Sequence, residues 1–105
     1  MVYSVLIIDM YHYQDDDANY QIDGFPTLEL AIEFARRWTR DSLEDQRKPG
    51  QSRDDLRKMW YMFGEDAMVI GGDYSGSSEL DFFLDNPATP GERDWQAIKD
   101  KAGIK

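Results

Sequence analysis

Between Phe25 and Lys48 the chain carries apolar residues on two stripes of what reads as one helix. Leu28, Ala31, Ile32, Ala35, Ser42 and Leu43 recur with the 3.6-residue period that puts them on one face. Leu30, Phe34 and Trp38 form a second stripe at i, i+4 and i+8. A helix lying on a sheet needs one such stripe. The second has to be covered by another helix, by the C-terminal segment or by a second copy of the chain. Pro26 and Thr27 stand at the start of this segment, where a first turn and an N-cap belong, and Glu29 suits the positive end of the helix dipole.

The rest of the chain is organised around that helix. Residues 2–13, rich in β-branched and aromatic side chains, read as a strand. Its run Val5, Leu6, Ile7, Ile8 is apolar at successive positions, which predicts a central strand covered on both faces. A shorter strand over 19–25 completes a hairpin with a polar loop longer than two residues. Residues 48–51 break the long helix. Ser52, with Asp55 three residues on, opens a second helix that places Trp60 and Phe63 inside and ends at Gly64 as a C-terminal stop. A third strand is read over 67–72. Residues 79–86 fit a strand or a helix, and a short helix capped by Ser77 or Ser78 is the preferred reading. Thr89, Pro90 and Glu92 are spaced as cap, first turn and third residue of a last helix over 89–103. The expected fold is a single α+β domain over residues 1–105. It has a small three-stranded antiparallel sheet in the order β-β-α-α-β, helices on one face and a C-terminal helical tail.

Composition narrows the chemistry. A chain of 105 residues, 41% apolar, suffices for one packed domain. It has no cysteine, so a disulfide, a thiolate nucleophile and a cysteine metal site are excluded. No apolar run approaches the ~20 residues of a membrane span, and no signal-peptide pattern opens the chain; a cytoplasmic protein without membrane contact is expected. The net charge of −9 disfavours nucleic acid as a partner. The charge is also blocked. Residues 1–35 hold seven acids and residues 64–88 six, with no Lys or Arg in either, whereas residues 36–63 hold eight bases against five acids. Two acidic regions flanking a basic helical face would suit a protein partner. An acidic mimic of nucleic acid follows from the same charge.

The stretches YHYQDDDANY (11–20), GFPTLELAIEFARR (24–37) and YMFGEDAMVI (61–70) resemble a family of small uncharacterised bacterial proteins. Members open with an aromatic strand running into a His-Tyr and acidic turn, and carry a Phe-Gly-Glu-Asp segment. A proline that often follows that segment is Ala67 here, and the C-terminal third is not covered. The resemblance implies a bacterial origin and one fold unit, and it supplies no catalytic residue.

Five features invite a functional reading. Asp15, Asp17, Asn19 and Asp23 have the spacing of ligands in a calcium loop, but Tyr20 and Pro26 replace its glycine and its bidentate glutamate. A wet acidic turn is the plainer reading, a divalent-cation site the sharper one. His12, the only histidine, could join Asp9 or Asp15 in a metal site or acid/base pair. Glu65 and Asp66 follow a helix end, where an arginine from 36–58 is the simplest compensating partner and a carboxylate pair the alternative. The glycines and serines of 71–78 lack the cation and the spacing of a phosphate cradle. The aromatic run 59–63 leaves Tyr61 or Met62 at the surface. With Leu30, Phe34 and Trp38, these two would form the contact of a homodimer or with another protein. The sequence thus favours a non-enzymatic, self-associating protein-interaction module with no catalytic residue. A metal- or small-ligand-binding protein, or a carboxylate enzyme using His12, Asp15, Asp17 and Glu65, is the alternative.

Overall fold

The computed structural model describes residues 2–11 and 19–104. Strands β1 (Tyr3–Asp9), β2 (Tyr20–Phe25) and β3 (Glu65–Ile70) form one antiparallel sheet in the order β2-β1-β3. Helices α1 (Leu28–Gln46) and α2 (Arg53–Phe63) lie between β2 and β3 in the chain. Helices α3 (Leu80–Asp85) and α4 (Trp95–Lys101) follow β3, each preceded by a 3₁₀ turn, at Gly76–Glu79 and Gly91–Arg93. The α+β class, the three-stranded antiparallel sheet, the central place of β1 and the C-terminal helix are as the sequence predicts. Among the described residues no helix is long and apolar enough to cross a membrane.

The helix starts follow the sequence. The Thr27 hydroxyl accepts from the Leu30 amide at 3.1 Å, and the Ser52 hydroxyl from the Asp55 amide at 3.1 Å. The helix ends need correction. Gly64 has φ −84°, so it is not a left-handed stop. It is required for space, because a Cβ there would sit 2.3 Å from the Trp60 indole. Thr89 and Glu92 do exchange their reciprocal bonds, at 2.9 and 3.3 Å, but they close a 3₁₀ turn. Helix α4 itself is capped by Asp94, which accepts from the Ala97 amide at 3.1 Å. Within residues 79–86 the helix spans Leu80–Asp85, and a 3₁₀ turn leads into it without a serine side-chain cap.

Two apolar clusters hold the elements together. Val5, Ile7, Ala67 and Val69 point from the sheet onto Ala31, Phe34 and Ala35 of α1, with Phe25 and Ile98 closing the ends. The second cluster joins Leu43 of α1 to Leu56 and Trp60 of α2 and to Leu80, Phe83 and Leu84. The second stripe of α1 is covered within the chain. Phe34 packs on Phe25 and on Trp95, with ring centroids 4.9 and 6.0 Å apart, and Trp38 packs on Trp95 at 4.4 Å. Of the cover options left open by the sequence, the C-terminal segment is the one used.

The two clusters meet at the Ser42 hydroxyl. It accepts from the Trp60 indole at 2.8 Å and from the Glu65 amide at 3.2 Å, and it faces the carbonyls of Glu65 at 2.8 Å and Thr39 at 3.0 Å. Removing it strands a buried indole N–H, a loss of about 1–3 kcal/mol. Ser42→Ala is therefore expected to lower the melting temperature by roughly 4–8 °C per kcal/mol lost, measured by calorimetry. Gly76 stacks the first 3₁₀ turn on α1 so closely that a Cβ would lie 1.8 Å from Thr39 Oγ1. Gly76→Ala is expected to destabilise by about 1–3 kcal/mol in a denaturant titration, with Thr39→Ala recovering part of the loss.

Candidate functional site

Side chains alternate across a strand, so the residues between the core positions of β1 and β3 face away from the helices. Ser4, Leu6 and Ile8 do so on β1, and Met68 and Ile70 on β3. Register places Leu6 opposite Met68 and Ser4 opposite Ile70. Met68 is 39% and Ile70 44% exposed, and Val2 just before β1 is 69% exposed. None of these apolar residues belongs to either cluster, and among the described residues no helix packs on them. The prediction that both faces of β1 are covered is thus corrected: one face is covered and the other is an open apolar strip. On β2 the same face is polar. Gln21 sits opposite Leu6, and Asp23 accepts from Ser4 Oγ and from Gln21 Nε2, each at 2.6 Å. Those two bonds hold the Asp23 carboxyl below the ordinary aspartate range.

The residues expected to make an interface on the helices divide. Phe34 is wholly buried, and Leu30 and Trp38 are half-buried against the core beneath α4, so α1 offers no free apolar stripe. Tyr61 and Met62 are exposed on α2, at 43% and 54%, beside Asp54, Arg57 and Lys58 in a shallow groove of about 450 Å³. Phe63, expected inside with Trp60, is also exposed, because Trp60 alone fills the space behind Gly64. Phe63 instead stacks on Tyr11, with centroids 5.4 Å apart.

The acidic candidates that the structure describes do not converge. Asn19 stands just before β2 and Asp23 within it; Asn19 Oδ1 accepts from the Asp9 amide at 3.3 Å, and Asp23 accepts from Ser4 and Gln21. Asp15, Asp17 and His12 lie outside the described residues. Among the described residues no group of three or more His, Cys, Asp or Glu side chains is arranged to hold a metal ion. Glu65 and Asp66 are strand residues on opposite faces of β3, which separates them as a carboxylate pair. The expected arginine partner is also absent. Asp66 accepts instead from the backbone amides of Ala67 and Ser77, at 2.8 and 2.9 Å.

Glu65 faces a small pocket of about 140 Å³ with Trp38, Asp41, Ser42, Asp45 and Trp95. Burial, then the nearby Asp9, pushes its carboxyl above the ordinary range, against a hydrogen bond from Trp38. Burial, then Glu65 and Asp9, likewise pushes Tyr20 up to about 12. Asp41 and Asp45 are held by Arg93 at 2.7 and 2.8 Å, and Asp41 also takes the Trp95 indole N–H at 3.0 Å. The pocket is thus an ordered junction of α1, β3 and the C-terminal segment.

The arginines are used internally. Arg36 binds Glu79 at 2.9 Å and Glu33 at 3.0 Å, Arg47 grips Glu44 and the carbonyls of Phe83 and Leu84, and Arg53 and Arg57 hold Asp81. Arg40 is buried, donates to the Asn86 carbonyl at 2.7 Å, and lies 4.7 Å over the Phe83 ring. A cleft of about 280 Å³ is lined by Glu33, Arg36, Arg37, Arg40 and Glu92, and its guanidinium groups are already paired with acids or carbonyls. The basic face expected on the helices is therefore largely neutralised. Sequence reasoning missed the open sheet strip because the unbroken run Val5–Ile8 hides its alternation; Met68 and Ile70, alternating with Ala67 and Val69, carried the signal.

Compared with protein-family models, curated proteins and solved structures, the chain matches none of them.

The raised carboxyl of Glu65 fixes a pH dependence. A group with a higher pKa folded than unfolded stabilises most when protonated, and that contribution is lost as pH rises through the folded value. Glu65→Gln is expected to raise the melting temperature at pH 7, with the gain shrinking as pH falls into the ordinary glutamate range. Calorimetry across pH 3–8 measures it.

Proposed function

We propose that this protein is a non-enzymatic protein-interaction module whose contact surface is the open face of its sheet. The observation that carries the reading is a strip across two neighbouring strands made of exposed Val2, Met68 and Ile70 with half-buried Leu6 and Ile8, which shares its face with Ser4 and Asp66. Apolar side chains grouped on one sheet face offer a small docking surface. The polar groups support the same reading from the other side. The arginines of the helices serve ion pairs and carbonyls within the chain, and Glu65 and Asp66 point apart.

Self-association is one form of this reading. The burial of Phe34 and the cover over Leu30 and Trp38 move its support from α1 to the sheet, with Tyr61 and Met62 left as a separate exposed patch. The alternative, a cation or small-ligand site on the β1–β2 hairpin, rests on Asp15 and Asp17.

A photo-crosslinking amino acid placed at position 68 or 70 in the native cell is expected to trap protein adducts, whereas one at the exposed Gln96 of α4 is not. Equal trapping from both faces, or none from the sheet, would overturn the reading. Light scattering on the purified chain assigns the adducts: association that is lost in Met68→Gln/Ile70→Thr identifies a second copy.

A further inference from the structure

The open strip has a definite shape and a definite charge. Its apolar part is confined to β1 and β3, because β2 contributes Gln21 and Asp23 to that face. Two strands about 4.8 Å apart and about six residues long make a strip about 10 Å wide and about 20 Å long. One α-helix, about 10 Å in diameter and about 14 residues long, covers such a strip. Helix α1 already does the same on the inner face, with Ala31, Phe34 and Ala35 lying on Val5, Ile7, Ala67 and Val69.

No Lys or Arg lies in any of the three strands, in the loop between β1 and β2, or in residues 64–88. The charged residues around the strip are all acids. The exposed Asp23 flanks it on β2 and the exposed Asp73 follows three residues after Ile70, while Asp66, opposite Ile8, is buried. Asp23 bonds to a hydroxyl and an amide, and Asp66 to backbone amides, so neither is neutralised by a basic side chain in those bonds. The molecule as a whole carries −9.

The charge counts against a second copy. Face-to-face pairing would bring two base-free sheets together, acid against acid. The strip covers about 200 Å², against the roughly 800 Å² each partner gives to a stable interface, so any occupant is held weakly.

Resting on the reading that the open sheet face docks protein, we infer that its occupant is a cationic amphipathic helix of a different protein. Its apolar stripe would lie along Leu6, Ile8, Met68 and Ile70, and Lys or Arg residues on either flank would meet the acidic rim. The contact is small and therefore transient.

The probe is a peptide of leucine and lysine, about 14 residues long, with leucines at i, i+3, i+4 and i+7. A control peptide carries glutamate in place of every lysine. Fluorescence anisotropy is expected to show the lysine peptide binding the full chain at least about tenfold more tightly than the glutamate peptide, and weakening with salt. Met68→Gln/Ile70→Thr, which alters exposed residues and leaves the net charge at its native value, is expected to weaken the lysine peptide by about tenfold. Lysine-peptide binding that survives this change is attraction to a generally acidic protein and would overturn the inference. Equal binding of both peptides, or of neither, would overturn it too. Adducts from position 68 that consist only of a second copy would overturn the helix inference while leaving the docking reading intact. Absence of any adduct would remove both.

Discussion

The Ser42 hydroxyl is where the three principal parts of this molecule are joined. One small oxygen, on the buried side of α1, receives the Trp60 indole from α2 and the Glu65 amide at the start of β3. Its own proton faces two carbonyls, one on β3 and one a turn earlier in α1. A hydroxyl can donate once and accept twice, so this junction uses all of its capacity. It fixes the depth of Trp60. That depth is what forbids a side chain at position 64 and brings the chain straight from α2 into the sheet. The two apolar clusters are thereby locked to one geometry, with the sheet's inner face filled and its outer face left free.

Charge follows the same division. The arginines sit on the helical side and are consumed there. Arg47 satisfies the last carbonyls of α3, where a cation also meets the negative helix end. Arg36 ties α1 to Glu79, whose carboxylate also accepts from Tyr74 at 2.5 Å, and Arg93 ties the C-terminal segment to Asp41 and Asp45. Many of these pairs are part-exposed and individually weak, but each spans elements distant in sequence, so together they fix how the helices lie. Among the described residues no arginine pairs with a strand acid. Asp23 and Asp66 are met by a hydroxyl, an amide and backbone N–H groups, which hold a carboxylate in place without cancelling its charge.

Much of this arrangement was legible in the sequence, and the misses have physical causes. The caps at Thr27 and Ser52, the central β1 and the doubly striped α1 could all be read because each depends on local chemistry or periodicity. The cover over the second stripe could not, since Trp95 reaches Phe34 and Trp38 only through tertiary packing. Phe63 was misplaced for a related reason. Helical spacing puts it on the side of Trp60, but the large indole and the tight turn at Gly64 leave no room behind it. Glu65 and Asp66 read as neighbours past a helix end, whereas a strand sends adjacent residues to opposite faces. The hairpin acids Asp15 and Asp17, with His12, lie outside what the structure describes, and of that pattern Asn19 and Asp23 are the described residues.

The open face follows from the same economy of elements. A sheet of three strands has two faces, and covering both takes two helical layers. Here α1 and α4 together cover the inner face, while α2 and α3 are drawn to the far end of α1 by Leu43, Leu56, Trp60, Phe83 and Leu84. No described helix remains for the outer face, yet β1 and β3 supply it with Leu6, Ile8, Met68 and Ile70. Ser4 of β1 and Asp66 of β3 lie on that face as well, but β2 gives it Gln21 and Asp23, so the apolar side chains gather on β1 and β3. That contrast between neighbouring strands of one sheet is what the proposed contact surface rests on.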